Sequence, residues 1–170
     1  EGKKEFDIPE DWLDGEISKD AGVIVPLLGN EYSPESLVEI AASLNQKEGI
    51  QVVNITEVPD QTVLDAVLKE TPKIKSIERK LLTVSEIKKE NIDFESIATH
   101  NISETMRVLS TYSNSDWLVL GWDGKAYNGI LINNPVGWIV SNIDSNFALF
   151  KDNGVRYIRN VVLAVRHNSK

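Results

Sequence analysis

The most specific chemical signature in this chain is Gly121-Trp122-Asp123-Gly124, which follows the apolar run Trp117–Leu120. Glycines at the end of a buried strand let backbone N–H groups come close to a phosphate. The same four residues also suit a tight turn with positive φ, which needs no ligand. Taken alone, they support both readings equally. Other chemistries find less support. There is no Cys, and the two histidines, His100 and His167, lie far apart. This excludes a disulfide framework, an iron–sulfur cluster, a thiolate zinc site and a Cys nucleophile, and a His-based metal site is not expected. No G-x-S-x-G is present and neither His is placed to serve a nucleophile, so nucleophilic catalysis is unsupported. A Walker A motif and a complete G-x-G-x-x-G are also missing. Asp60, Asp65 and Glu70 read as a solvated helix face rather than a general acid–base pair. Glu31, Tyr32 and Glu57 are the polar groups nearest the ends of the first two strands, and each reads as a loop surface residue.

The elements that must position these residues follow from hydrophobic patterning. The chain has 170 residues, 41% hydrophobic and 26% charged, which suits one globular domain. A net charge of −8 argues against a nucleic-acid partner, which needs a basic face. No window approaches the roughly 18 apolar residues of a membrane span, and no signal peptide is visible, so a soluble, cytoplasmic piece is expected. Residues 1–20 are acidic and lack sustained periodicity, which reads as a linker.

Ala21–Leu28 is a nearly continuous apolar run that suits a strand buried on both faces. Ser33 and Pro34 then look like an N-cap and first helical position, and Leu37, Ile40, Ala41 and Leu44 form an amphipathic stripe. Gly49 closes that helix, and 50–58 is a second strand. Asp60–Lys69 reads as a helix ended by Pro72, and Ser76–Asn91 as another, with Ile77, Leu81, Val84 and Ile87 or Lys88 on one face. Phe94–His100 is a short strand. Asn101 caps a further helix, with Ile102, Met106 and Leu109 on one face. Asp116–Trp122 is the clearest buried strand. Asn134 and Pro135 look like the cap and first position of a last helix, with Val136, Ile139, Val140 and Ile143 on its inner face, and Phe147–Lys151 is a fifth strand. This alternation predicts a doubly wound α/β fold: a parallel sheet with helices on both faces. A further strand is expected over 157–165. Its end, VVLAVRHN (161–168), resembles VIVPLLGN (23–30), as if a second copy began there, although an incidental edge strand explains it equally well.

Together these segments carry a family resemblance. VIVPLLGNEYSPESLVEIAASL, a strand ending Thr56-Glu57-Val58, SDWLVLGWDG and PVGWIVSNIDSNFALFKD make the stretch 21–152 similar to a universal stress protein domain. The resemblance implies a five-stranded parallel sheet of order 3-2-1-4-5 and pairing of two copies through the last strands. It also implies a nucleotide site, for ATP, AMP or another nucleotide, formed by Pro26, Leu27, Leu28, Thr56, Gly121, Gly124, Lys125, Asn134 and Pro135. The match to the family's phosphate loop is partial. Gly121 and Gly124 fit its G-x2-G, but Asn134 and Pro135 stand where it has Gly and Ser/Thr. Leu28 stands where the family has Asp and cannot accept a hydrogen bond from a nucleoside. Pro135 brings neither an N–H nor a hydroxyl. Each lost hydrogen bond costs about 1–3 kcal/mol, so the resemblance implies weakened nucleotide binding. More narrowly, SDWLVLGWDGK and FKDNGVRYIRNVVLAV resemble the cytoplasmic domains of amino-acid permeases and cation antiporters. The implied role is a non-catalytic regulatory or sensing domain of a membrane transporter. The alternative is an ATP-binding stress protein with a degenerate phosphate loop.

Overall fold

The computed structural model describes residues 21–29, 31–47, 49–64, 71–113, 115–123 and 135–154. Five strands alternate with four helices: β1 (Val23–Leu27), α1 (Pro34–Leu44), β2 (Ile50–Glu57), α2 (Pro72–Lys88), β3 (Ile92–Thr99), α3 (Ile102–Tyr112), β4 (Trp117–Gly121), α4 (Val136–Asn142) and β5 (Asn146–Phe150). Every neighbouring pair runs parallel, in the order β3-β2-β1-β4-β5. The doubly wound α/β sheet forms with the expected strand order.

β1 is the middle strand, and all five of its residues are buried. A central parallel strand has helices over both faces, which is why its sequence is apolar without alternation. Successive side chains still go to opposite layers. Val23, Val25 and Leu27 join Leu37, Ala41 and Leu81 beneath α1 and α2. Ile24 joins Val53, Leu118, Leu120, Met106 and Ile139 beneath α3 and α4. The sheet therefore separates two apolar layers, and its carboxyl edge is where the loops gather. A polar side-chain pair within the sheet lies between β2 and β3. Asn54 is 7% exposed, and its Nδ2 donates to Ser96 Oγ at 2.9 Å, its register partner. Asn54→Ala should cost about 1–3 kcal/mol by removing that partner from a buried site, measured by urea unfolding.

Helix starts show where local signals were ambiguous. Ser33 and Pro34 stand at the N-cap and first position of α1 as expected, but the Ser33 side chain makes no capping bond. Its carbonyl accepts the Ser36 N–H instead, at 3.0 Å. Pro72, read as a stop, starts α2. Thr71 caps that helix, its hydroxyl accepting the Ile74 N–H at 3.3 Å. Proline lacks a donor that a first turn leaves unpaired anyway, so it starts helices as readily as it ends them. The helix expected from Asp60 is a turn at its beginning, closed by Thr62 N–H to the Pro59 carbonyl at 2.8 Å; residues 65–70 lie outside the described residues. Ile77, Leu81 and Val84 are buried as expected, but Ile87 is 71% exposed. At 3.6 residues per turn it lies roughly 90° from the centre of that stripe.

Asn101 caps α3, its side chain accepting the Glu104 N–H at 3.1 Å. α4 begins at Val136, one residue later than expected. Pro135 is itself the N-cap, its carbonyl accepting the Ile139 N–H at 3.0 Å. The segment read as a linker, 1–20, and the strand expected over 157–165 lie outside the described residues. Among the described residues no helix is long and apolar enough to cross a membrane.

Candidate functional site

β1 and β4 are neighbours, but the chain leaves them in opposite directions. α1 covers one face and α4 the other. Where the winding reverses, the loops diverge and leave a crevice at the carboxyl edge, the usual ligand position in such sheets. Here the crevice is organised by Glu31. Gly29, at φ 91, turns the chain just past β1. The Glu31 carboxylate then reaches back and accepts the Leu28 N–H at 2.6 Å and the Gly29 N–H at 2.9 Å. Two backbone donors that have left the sheet ladder need acceptors, and this carboxylate satisfies both.

Gly121 ends β4, level with Phe150 on β5. Its φ is not positive, so it is not held as a glycine by turn geometry. A Cβ there would stand 3.1 Å from Glu31 Cγ and 3.5 Å from Leu37 Cδ1. Within the described residues, the glycine makes room for the Glu31 side chain. Gly121→Ala should therefore displace Glu31, weakening stability by about 1–2 kcal/mol and moving the Leu28 and Gly29 amide resonances. Unchanged amides would remove this reason for the glycine.

A cleft opens beside Glu31, walled by Tyr32, Gly121, Trp122 and Phe150, with Asp123 and Asp152 at its rim loops. The Trp122 backbone N–H donates to the Phe150 carbonyl at 2.8 Å. Its indole Nε1 is buried and has no hydrogen-bond partner among the described residues. On the other side of Glu31 and Tyr32 lies a second cleft, reaching Asn54 and the Lys73 and Lys80 side of α2. Lys80 pairs with Glu35 at 3.2 Å.

The site residues expected from sequence divide as follows. Gly121 lines the first cleft and Leu27 the second. Pro26 is buried within β1. Leu28 is half-buried against the α3–α4 layer, and its N–H belongs to Glu31. Thr56 is exposed near the end of β2, and Pro135 caps α4; neither lines either cleft. Gly124, Lys125 and Asn134 lie outside the described residues. Glu31 and Tyr32, read as surface loop residues, form the wall between the clefts. Phe150 and Asp152 were not singled out; their signal was their place at the end of a fifth parallel strand beside β4. His100 stands apart, with Nδ1 3.2 Å from the Val58 carbonyl, which makes Nδ1 the protonated, donating nitrogen. Among the described residues no group of three His, Asp or Glu could hold a metal ion.

With this geometry in place, the chain compares well with solved structures of one kind. A universal stress protein from Archaeoglobus fulgidus superposes with a TM-score of 0.52 at 10% identity, covering 76% of this chain and 97% of the other. A universal stress protein in complex with cAMP gives 0.54 at 13%, covering 78% and 97%. No family model matches the sequence, and no curated protein matches it. The fold is that of universal stress proteins.

Proposed function

We propose that this chain is a universal-stress-protein-like regulatory module that senses a small ligand and carries out no catalysis. The cleft beside Glu31, at the point where the winding reverses, carries this reading. It joins a concave site to loops from both halves of the sheet. The output would be self-association. Among the described strands β5 lies at the edge of the sheet, with Leu149 36% exposed, and an edge strand offers backbone groups to a second copy. A ligand that binds one paired arrangement better than another shifts the population toward it. The resemblance of SDWLVLGWDGK to cytoplasmic domains of permeases and antiporters supports attachment to a transporter. Leu149→Lys should turn pairs into single copies by placing a charge on that edge. Sedimentation velocity reads this directly, and unchanged association would remove β5 from the interface.

A second reading is that the module binds ATP or another nucleotide despite its altered loop. The cAMP complex of a protein with this fold favours it. Against it, the β1 backbone donors that an anion would use are occupied by Glu31. Thermal unfolding with ATP, ADP, AMP and cyclic dinucleotides plus magnesium separates the two. Ligand at 100-fold over Kd adds about 2.7 kcal/mol, a shift of several degrees in a domain this size. No nucleotide shift is expected. A clear shift with ATP would establish the nucleotide reading.

A further inference from the structure

We propose that Asn153 is a site of spontaneous covalent modification: its carboxamide is lost through a cyclic imide with Gly154, at a rate held down by Asp152. This stands independently of the ligand-sensing reading.

The reaction needs only water. The Gly154 backbone nitrogen attacks Asn153 Cγ and forms a C–N bond. The bond from Cγ to the side-chain nitrogen breaks, and that nitrogen leaves as ammonia with the proton from Gly154. Water then opens the imide at either carbonyl. One opening leaves aspartate. The other leaves isoaspartate, in which the main chain runs through the former side chain.

The first ground is access to the attacking nitrogen. A side chain on the following residue obstructs the approach, and glycine has none. Asn153 and Gly154 are both exposed. Gly154 sits at φ 73, with no atom within 4 Å of where a Cβ would stand. The chain's other Asn-Gly pair, Asn128-Gly129, lies outside the described residues.

The second ground is freedom of the carboxamide, which must rotate onto that nitrogen. Among the described residues no hydrogen bond holds the Asn153 side chain. Other asparagines are tied down. Asn45 donates to Glu90, Asn54 to Ser96, Asn142 to the Trp138 carbonyl and Asn146 to the Asp116 carbonyl, while Asn101 caps α3.

The third ground sets the rate. The Gly154 N–H donates to Asp152 Oδ1 at 2.7 Å, the turn an aspartate makes with the backbone two residues on. The attacking nitrogen must give up that proton and gain negative character beside a carboxylate, and like charge disfavours the anionic form. Asp152 therefore slows the attack. The product places a second negative charge next to Asp152, in the segment that leaves β5.

The test incubates the folded protein at mildly alkaline pH, well below its unfolding midpoint. Trypsin cuts after Lys151 and Arg156, which isolates residues 152–156 from Asn128-Gly129. Mass spectrometry then reads amide converted to acid, and chromatography separates aspartate from isoaspartate. Asn153 should convert while Asn45 and Asn146 keep their amides. Gly154→Ala should bring Asn153 down to the level of those two. Asp152→Ala should speed conversion by about threefold or more, the scale of one hydrogen bond. It and the free peptide of residues 152–156 keep the test decisive if Gly154→Ala, strained at positive φ, does not fold. An Asn153 amide that persists in the folded protein while the free peptide converts overturns the site. An unchanged or slower rate in Asp152→Ala overturns the restraint assigned to Asp152.

Discussion

Leu118→Ala should lower the unfolding free energy by about 3–5 kcal/mol. Leu118 is fully buried on β4, next to Ile24 in the β1–β4 register. It lies in the layer formed with Met106, Leu109 and Ile139. Sheet on one side and helices on the other leave little room for collapse around the missing methyl groups, which places the cost high in the usual range. A domain of this kind has about 5–15 kcal/mol in total, so this one change removes a large share. Urea unfolding should show a lower midpoint with an unchanged slope, the sign that the native state lost stability while its unfolded surface stayed the same. The effect reaches the cleft, because β1 and β4 carry Leu28 and Gly121 at their carboxyl ends. A loss below about 1 kcal/mol would mean that β4 is not an interior strand covered on both faces.

Gly22→Ala should follow at about 1–3 kcal/mol, through overpacking rather than a cavity. A Cβ at Gly22 would stand 2.3 Å from Asn45 Oδ1 and 2.9 Å from Lys47 Cβ. Asn45 cannot swing aside freely. Its Nδ2 donates to the Lys47 carbonyl at 2.9 Å and to Glu90 Oε2 at 3.0 Å, while its Oδ1 accepts the Lys47 N–H at 3.2 Å. Gly22 is equally fixed. Its N–H donates to the Gly49 carbonyl at 3.0 Å, and its own carbonyl accepts from Asp116 at 2.9 Å. A double mutant adding Asn45→Ala is the sharper check. Removing the obstructing oxygen should recover part of the loss, so the two changes together cost less than their sum. Strict additivity would show that the clash is not the cause.

Much of the fold was legible because its signals are local or periodic. The unbroken apolar runs of β1 and β4 mark strands covered on both faces. The stripes Leu37–Ala41 and Ile102–Met106–Leu109 mark helices with one buried side. Pro72 was misread because proline's effect depends on which side of it the helix lies, and a sequence pattern shows both options. Ile87 was misread because an apolar residue at i+3 can still fall off the edge of a stripe. In the candidate site, Gly121 shows how one glycine leaves several readings open. A glycine required by a neighbour's side chain looks the same in sequence as one required by a phosphate.

The order of strand and helix segments determined the α/β class, because alternating patterns of that length can be buried only by parallel strands with crossover helices. Composition excluded whole chemistries by the absence of Cys and the scarcity of His. What only the tertiary structure decided is which residues share the carboxyl edge. Glu31 comes from the β1–α1 loop, Trp122 from the end of β4 and Phe150 from the end of β5, residues far apart along the chain. Their meeting depends on the winding reversal between β1 and β4 and on parallel register between β4 and β5. Those are long-range pairings, and no local pattern encodes which side chain reaches back over which strand.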